Sequence, residues 1–447
     1  MPSNEQLPPK ASILGALSYA LDLVEGQPKG HAIRTAQLSL RLADALHLTD
    51  SQLENLYYAA LLKDSGCSNN SVRVQKIFGG DEHVAKYAVK LSDWTSSVES
   101  LKFVWHHTEV GRSVGAKLRR MALNIGTPKQ VMNEVTEARC TRGAEIARLL
   151  SLDEDVSDAI LYLDEHWDGK GAPYGKVRDE SPLLSRILSF MQTYEVFLTA
   201  YGLEAANVMA KDRSGTWFDP DIVLVALDIF SSGVGLENLG SGDEVFDRLP
   251  HLKTSIVDAD IDAICEAFAQ IVDAKSSFTS EHSTRVKNYA IALAEHLGFS
   301  QAEITTLSRG ALLHDIGKLG VPTGILEKPG KLDEVEFERI RCHPRLGQEI
   351  LDQIPGFDHL AEIASAHHER LDGKGYWQGL SGDSLNLSVR IVTVCDVFDA
   401  LTAKRPYREA LPLEKVWGIM DSEAGVAFDH DCLEALKKVQ EENKLVS

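Results

Sequence analysis

Seven side chains in the second half of the chain are of types that bind divalent metal ions. They are His282, the adjacent pair His314 and Asp315, His343, the adjacent pair His367 and His368, and Asp396. Neutral imidazole and ionised carboxylate together suit Mn, Fe or Zn-like ions, and the lack of cysteine among them weighs against a structural zinc site. Seven groups are too many for one ion with an open position, but they suit two ions sharing a bridging carboxylate. Any one of these histidines alone reads as an ordinary core or surface residue. Jointly, a His-Asp pair on an apolar helix face, a His-His pair beside a glycine-rich turn and an aspartate on a further apolar segment are costly to bury without a cation.

The elements that must position these groups read as helices. Over 281–297, Val286, Tyr289, Ala290, Leu293 and Leu297 follow helical spacing, and His282 sits one turn before Val286 on the same face. Over 301–317, Ile304, Leu307 and Ala311 form an apolar stripe that runs into His314 and Asp315. The segment IVTVCDVFDALTA (391–403) has the apolar content of a buried strand, but Asp396 and Asp399 three residues apart, followed by Ala400, favour a helix. Strand-like alternation is scarce, so the expected fold is all-α.

The chain also repeats itself. LADALHLTDSQLENLYYAALLKDSG (42–66) matches LAEHLGFSQAEITTLSRGALLHDIG (293–317) at an offset of 251 residues, which also pairs His31 with His282. Thr49 and Ser300 occupy equivalent cap positions, each followed three residues later by Gln52 or Glu303, the signature of a capping box. Farther on, EHWDGKG (165–171) matches ERLDGKG (369–375) at an offset of 204, so the first copy carries about 47 additional residues between about 66 and 140. GTWFDPD (215–221) and GVAFDHD (425–431) close the two copies. The expected organisation is two tandem domains, 1–245 and 255–447, the first with an insertion.

Composition narrows the class. With 447 residues, 44% of them apolar and 25% charged, the chain suits two or three globular domains. Its formal charge of −20 argues against a DNA or RNA polymer as partner, because that binding needs a broad basic surface. No run of about 18 apolar residues points to a membrane span. Six scattered cysteines without a CxxC pair suit reduced thiols, and the opening MPSNEQLPPK lacks a secretory pattern, so a cytoplasmic location is expected.

The second copy resembles the HD-GYP subgroup of the HD phosphohydrolases over roughly 260–432. HSTR (282–285), HDIGK (314–318), KPGKL (328–332), CHPRLG (342–347), HHERLDGKGY (367–376) and DVFDALTAKRPYR (396–408) carry that resemblance. It implies tandem HD-type helical domains and a metal-dependent phosphodiesterase acting on a cyclic dinucleotide, cyclic di-GMP or 3′,3′-cyclic GMP-AMP. His282, His314, Asp315 and Asp396 are implied to hold one ion, and Asp315 to bridge to a second held by His343, His367 and His368. Fe or Mn leads among the divalent candidates. Two ions roughly 3.5–4 Å apart can lower the pKa of a shared water and clamp an in-line displacement at phosphorus. The resemblance further implies catalytic roles for Asp315, Lys318 and Asp399, and substrate contacts for Lys318, Tyr376, Arg405 and Arg408. General nucleotide phosphohydrolase and non-hydrolytic cyclic-dinucleotide receptor are the rival readings.

Two departures stand out. The Gly-Tyr-Pro of the family reads Gly375-Tyr376-Trp377 here, and Phe278 occupies the position of a glutamate that brings a third metal to some members. In the first copy, Lys63 replaces His314, Cys67 replaces Lys318 and Arg139 replaces His343. Leu163 and Asp164 replace the His-His pair, and Gln192 replaces Asp396. That copy is expected to hold no catalytic metal, with Lys63 beside Asp64 supplying the missing positive charge. It is expected to be structural or regulatory, pairing with the second copy or forming a homodimer surface. His83, His106 and His107 in the insertion read as ordinary surface or core residues.

Overall fold

The computed structural model describes residues 7–93, 97–110, 113–123, 128–236, 239–240, 243–254, 256–277, 281–404 and 409–442. Phe278, Arg405 and Arg408 lie outside the described residues. Among those described, the regular structure is helical, with isolated bridges but no strand. No helix among them is long and apolar enough to cross a membrane. The chain divides into two compact units, one from Pro9 to Ile256 and one from Val257 onward.

In the first unit, α1 (Lys10–Val24), α2 (His31–Ala45) and α3 (Asp50–Leu62) pack together with the long apolar α4 (Leu183–Tyr201). The second unit uses the same plan. Its α5 (Asp258–Asp273), α6 (His282–His296) and α7 (Gln301–Leu313) pack with α8 (His343–Leu351), α9 (Asp358–Ala366) and α10 (Leu387–Thr402). Both expected capping boxes are present. Thr49 and Ser300 each accept from the backbone N–H three residues on, while Gln52 and Glu303 reach back to the cap residue's N–H.

The periodic residues do fill the core. Val286, Leu293, Leu307, Ile391, Val394 and Phe398 belong to one buried cluster in the second unit. The segment 391–403 is helical through Thr402, which brings Asp396 and Asp399 onto successive turns of a buried helix. One boundary differs from expectation. The helix entered at Gln301 ends at Leu313 and does not continue to 317; His314 caps it, and Ile316–Gly320 forms a separate 3-10 turn.

That turn lies against the start of α8, and a glycine makes the approach feasible. A β-carbon at Gly317 would come 2.0 Å from the carbonyl oxygen of His343 and 2.7 Å from the Gly347 nitrogen. The first unit repeats the contact, since a β-carbon at Gly66 would meet the Arg139 carbonyl oxygen at 1.9 Å. Because both neighbours are backbone, relief requires moving a helix. Gly317→Ala is therefore expected to cost about 1–3 kcal/mol in chemical denaturation, whereas Gly330→Ala, where nothing lies within 4 Å, is expected to stay close to wild type. Equal stability of the two variants would contradict the close-packing account.

Candidate metal centre

The break after α7 gives the second unit its central group. His314 and Asp315 fall between the helix and the 3-10 turn, and both side chains are buried. The two oxygens of Asp315 face different pairs of imidazoles. His314 Nε2 lies 3.3 Å and His282 Nε2 3.6 Å from Oδ2, while His343 Nε2 lies 3.3 Å and His367 Nε2 3.6 Å from Oδ1. Asp396 joins from α10, its Oδ1 3.3 Å from His282 Nε2 and its Oδ2 4.0 Å from His368 Nδ1. All seven residues singled out from the sequence thus meet in one place.

The far side of each ring decides what the near side offers. Nδ1 of His314, His343 and His367 lies 2.7, 2.7 and 3.0 Å from the carbonyl oxygens of Ala311, Ile340 and Ala364, each three residues back. His282 Nδ1 lies 2.7 Å from Asp399 Oδ2. Carbonyl and carboxylate oxygens only accept, so the proton is assigned to Nδ1 in each case and the Nε2 lone pair is left facing Asp315. Asp399 is itself fixed by Arg285, whose Nε and Nη2 donate at 2.5 and 3.0 Å. Metal-binding histidines in general are oriented by a hydrogen-bonded outer layer of this kind.

Charge makes the same point. Burial lowers the pKa of His343, His367 and His368, that of His367 to about 4, so these rings favour the neutral, lone-pair-bearing form. Burial works against ionisation of Asp315 and Asp396 too, but Lys318 and His314 around the former and His282 beside the latter hold both well below the usual carboxylate range. Burial opposes a proton on His282 as well, yet Asp315, Asp396 and Asp399 outweigh it and raise that ring well above its ordinary value. Without a metal, His282 therefore takes a second proton at Nε2, and a divalent ion there would take that proton's place. His282 Nε2, His314 Nε2 and Asp315 Oδ1 are buried without a hydrogen-bond partner, a costly state that a divalent ion would relieve.

Two overlapping sets could hold such ions. One ligand atom each from Asp315, His343, His367 and His368 lies within 4.8 Å of the others, and His282, His314 and Asp315 meet the same limit. Imidazole and carboxylate without thiolate fit Mn or Fe as well as Zn.

Around this centre, the Lys318 ammonium contacts Asp315 Oδ2. The Tyr376 ring is tilted over His368 with centroids 4.5 Å apart. Arg285 was visible in the sequence only as part of a motif. The signal for its role is that Arg34 and Glu195 retain the equivalent pair in the first copy. Buried Asp273, which accepts from the backbone N–H and hydroxyl of Ser283 at the start of α6, belongs to none of the sequence motifs. Its equivalent, Asp22, was equally discoverable, since it receives the Gly30 and Ala32 N–H groups at the start of α2.

The first unit keeps the outer layer but not the ligands. His31 contacts Glu195, which also accepts from Arg34 Nε at 2.6 Å. At the position of Asp315, Asp64 contacts the Lys63 ammonium and lies 3.3 Å from Lys90 Nζ. Lys90 also stands 3.2 Å from Glu25, Lys86 stands 3.5 Å from Glu25, and Arg139 pairs with Asp164. Lys86 and Lys90 come from the insertion, on the helix Glu82–Lys90. Glu25, Asp64 and Cys67 are close enough to one another to hold an ion, but these lysines already answer the two carboxylates. His106 and His107 bond helix carbonyls four residues back and join no ligand cluster among the described residues.

Comparison with known proteins agrees with this architecture. A sequence model of the HD domain matches residues 90–222 and 266–432. The chain is 38% identical over 435 residues to the 3′3′-cGAMP-specific phosphodiesterase 3 of Vibrio cholerae, covering 96% of this chain and 94% of that one. A cyclic di-GMP phosphodiesterase response regulator of Xanthomonas campestris is 41% identical over 170 residues, 38% of this chain and 45% of its own. Among solved structures, a cyclic GMP-AMP specific phosphodiesterase of V. cholerae superposes with a TM-score of 0.65 at 35% identity, covering 97% of this chain and 98% of that one.

The first unit's internal cations generate a stability prediction. Lys90→Met leaves Glu25 and Asp64 buried with one cation fewer and is expected to destabilise that unit by about 3 kcal/mol in urea denaturation. An unchanged midpoint would contradict the assignment. Burial opposes ionisation of Glu25 and Glu195, but Lys90 and Lys86 beside the former and His31 and Arg34 beside the latter bring both pKa values down to about 2. Their stabilising contribution is therefore full above the unfolded carboxylate range and is lost as pH falls through about 2. Acid unfolding monitored by circular dichroism should follow that direction.

Proposed function

We propose, for a chain that belongs to the HD-GYP family of HD-domain phosphohydrolases, that its second unit is a metal-dependent phosphodiesterase hydrolysing a cyclic dinucleotide. The observation that carries this reading is the division of four imidazole Nε2 atoms between the two oxygens of one buried aspartate. His282, His314, Asp315 and Asp396 would hold one divalent ion, and Asp315, His343, His367 and His368 would hold a second, with iron or manganese the first candidates. When bound, the pair supplies charge neutralisation at the phosphoryl oxygens and activation of the attacking water.

The chain's own residues do the rest. Asp399 fixes the His282 ring through Nδ1 and is in turn held by Arg285, so the ring cannot rotate away from the centre. Lys318, partly exposed and resting on Asp315, holds its ammonium where it can meet a phosphate oxygen or protonate the leaving ribose oxygen. Tyr376 offers a ring face beside His368 against which a base can stack. Arg405 and Arg408 supply guanidinium forks suited to phosphate oxygens and guanine edges. Opening one 3′–5′ diester of the ring gives a linear dinucleotide as the first product.

Similarity along nearly the whole chain to a cyclic GMP-AMP phosphodiesterase supports 3′,3′-cyclic GMP-AMP as the preferred substrate, with cyclic di-GMP the alternative. The first unit, from Pro9 to Ile256, is a metal-free structural or regulatory domain, and the enzyme works in the cytoplasm.

The test is hydrolysis of both cyclic dinucleotides by Mn- and Fe-loaded protein, beside Asp315→Ala. Expected are about two tightly bound ions per wild-type chain and a loss of turnover of at least about a thousandfold in the variant. Bound metal without turnover of either compound would move the assignment to another phosphohydrolase substrate or to a receptor. About four bound ions per chain would overturn the metal-free first unit.

A further inference from the structure

Tyr376 sits in the connection from α9, which ends just before the His367-His368 pair, to α10, and its neighbours hold it tightly. Glu369, buried directly after the His-His pair, accepts the backbone N–H groups of Trp377 and Gln378 on Oε1 at 3.3 and 2.8 Å. The Trp377 indole Nε1–H donates to the Ser365 carbonyl at 3.2 Å, tying the loop to α9, the helix that His367 caps. Arg341 Nη2 donates to the Tyr376 carbonyl at 2.5 Å. Gly375 allows the approach, since a β-carbon there would meet the Glu369 Cα at 2.5 Å and the His368 carbonyl oxygen at 2.8 Å.

The first copy provides an internal comparison. At the same offset, Pro173 stands in place of Trp377, and Glu165 in place of Glu369. Glu165 accepts from Tyr174 and Lys176 at 2.7 and 2.8 Å, but proline has no N–H to give and no side-chain donor. Tryptophan therefore adds two hydrogen bonds that the residue of the other copy cannot make. Both act on the residue directly following Tyr376.

We infer that Trp377 is a positioning residue that sets the Tyr376 ring against His368, and through that ring sets substrate affinity and the choice between bases. The second clause rests on the proposed reading in which Tyr376 faces a cyclic dinucleotide. Half-exposed in the protein, the indole is a working part of the loop through its N–H rather than a packed core ring.

Trp377→Phe keeps an aromatic ring and removes only the indole donor; Trp377→Pro installs the first copy's residue and removes the backbone donor as well. For manganese-loaded protein, Trp377→Phe is expected to raise KM by about three- to tenfold, with kcat within about twofold and bound manganese unchanged. The cyclic GMP-AMP to cyclic di-GMP preference should shift with it. Trp377→Pro should exceed it in both respects. Independently of turnover, amide hydrogen exchange over 369–382 should accelerate in both variants without substrate. If the wild type hydrolyses neither compound, the substrate reading fails while exchange still decides the positioning role. Unchanged exchange, or unchanged KM and preference in an active enzyme, overturns the inference.

Discussion

One buried carboxylate has to answer four imidazoles at once. Asp315 presents two oxygens and the rings approach in pairs, an arrangement that a divalent cation set between each Nε2 lone pair and an oxygen would satisfy. Much of the second unit can be understood from that requirement. The helix after Gln301 stops at His314 so that adjacent residues can serve one centre, the Gly317 turn lets the His343 helix come close, and carbonyls three residues back fix three ring tautomers. Three other segments, bearing His282, His343 and His367, then reach the carboxylate from different sides.

The first unit meets the same electrostatic demand with different chemistry. Its scaffold retains the close glycine, the histidine at the start of a helix and the carboxylate-arginine pair behind that ring. Tethered ammonium groups from Lys63 and Lys90 now stand beside the carboxylate. A lysine cannot leave, exchange or activate water as an ion does, so on the proposed reading this unit keeps the fold without the reaction. Divergence of the two copies is thus concentrated in the groups that face this carboxylate.

Much of this was legible in the sequence because the relevant signals are local or periodic. The capping boxes at Thr49 and Ser300, the apolar stripe through Val286 and Leu293, and the all-helical architecture follow from spacing alone. Gathering the seven ligand candidates needed only their residue types and the family resemblance. Other features depend on three-dimensional approach and leave little trace in one sequence. The break at His314 has no proline or glycine at the cap itself, the first glycine being Gly317, and the role of Glu369 as acceptor for the Tyr376 loop depends on how that loop folds back. Asp273 and Arg285 were recoverable only by asking which polar residues survive in both copies. Arg405 and Arg408 fall outside the described residues, so their substrate role rests on the resemblance.

The most direct test of the bridging carboxylate is electron paramagnetic resonance of the manganese-loaded protein. Two ions sharing Asp315 should give an exchange-coupled signal that Asp315→Asn converts to isolated six-line manganese or abolishes with loss of metal. A wild-type spectrum of isolated, uncoupled manganese at full occupancy would contradict the account.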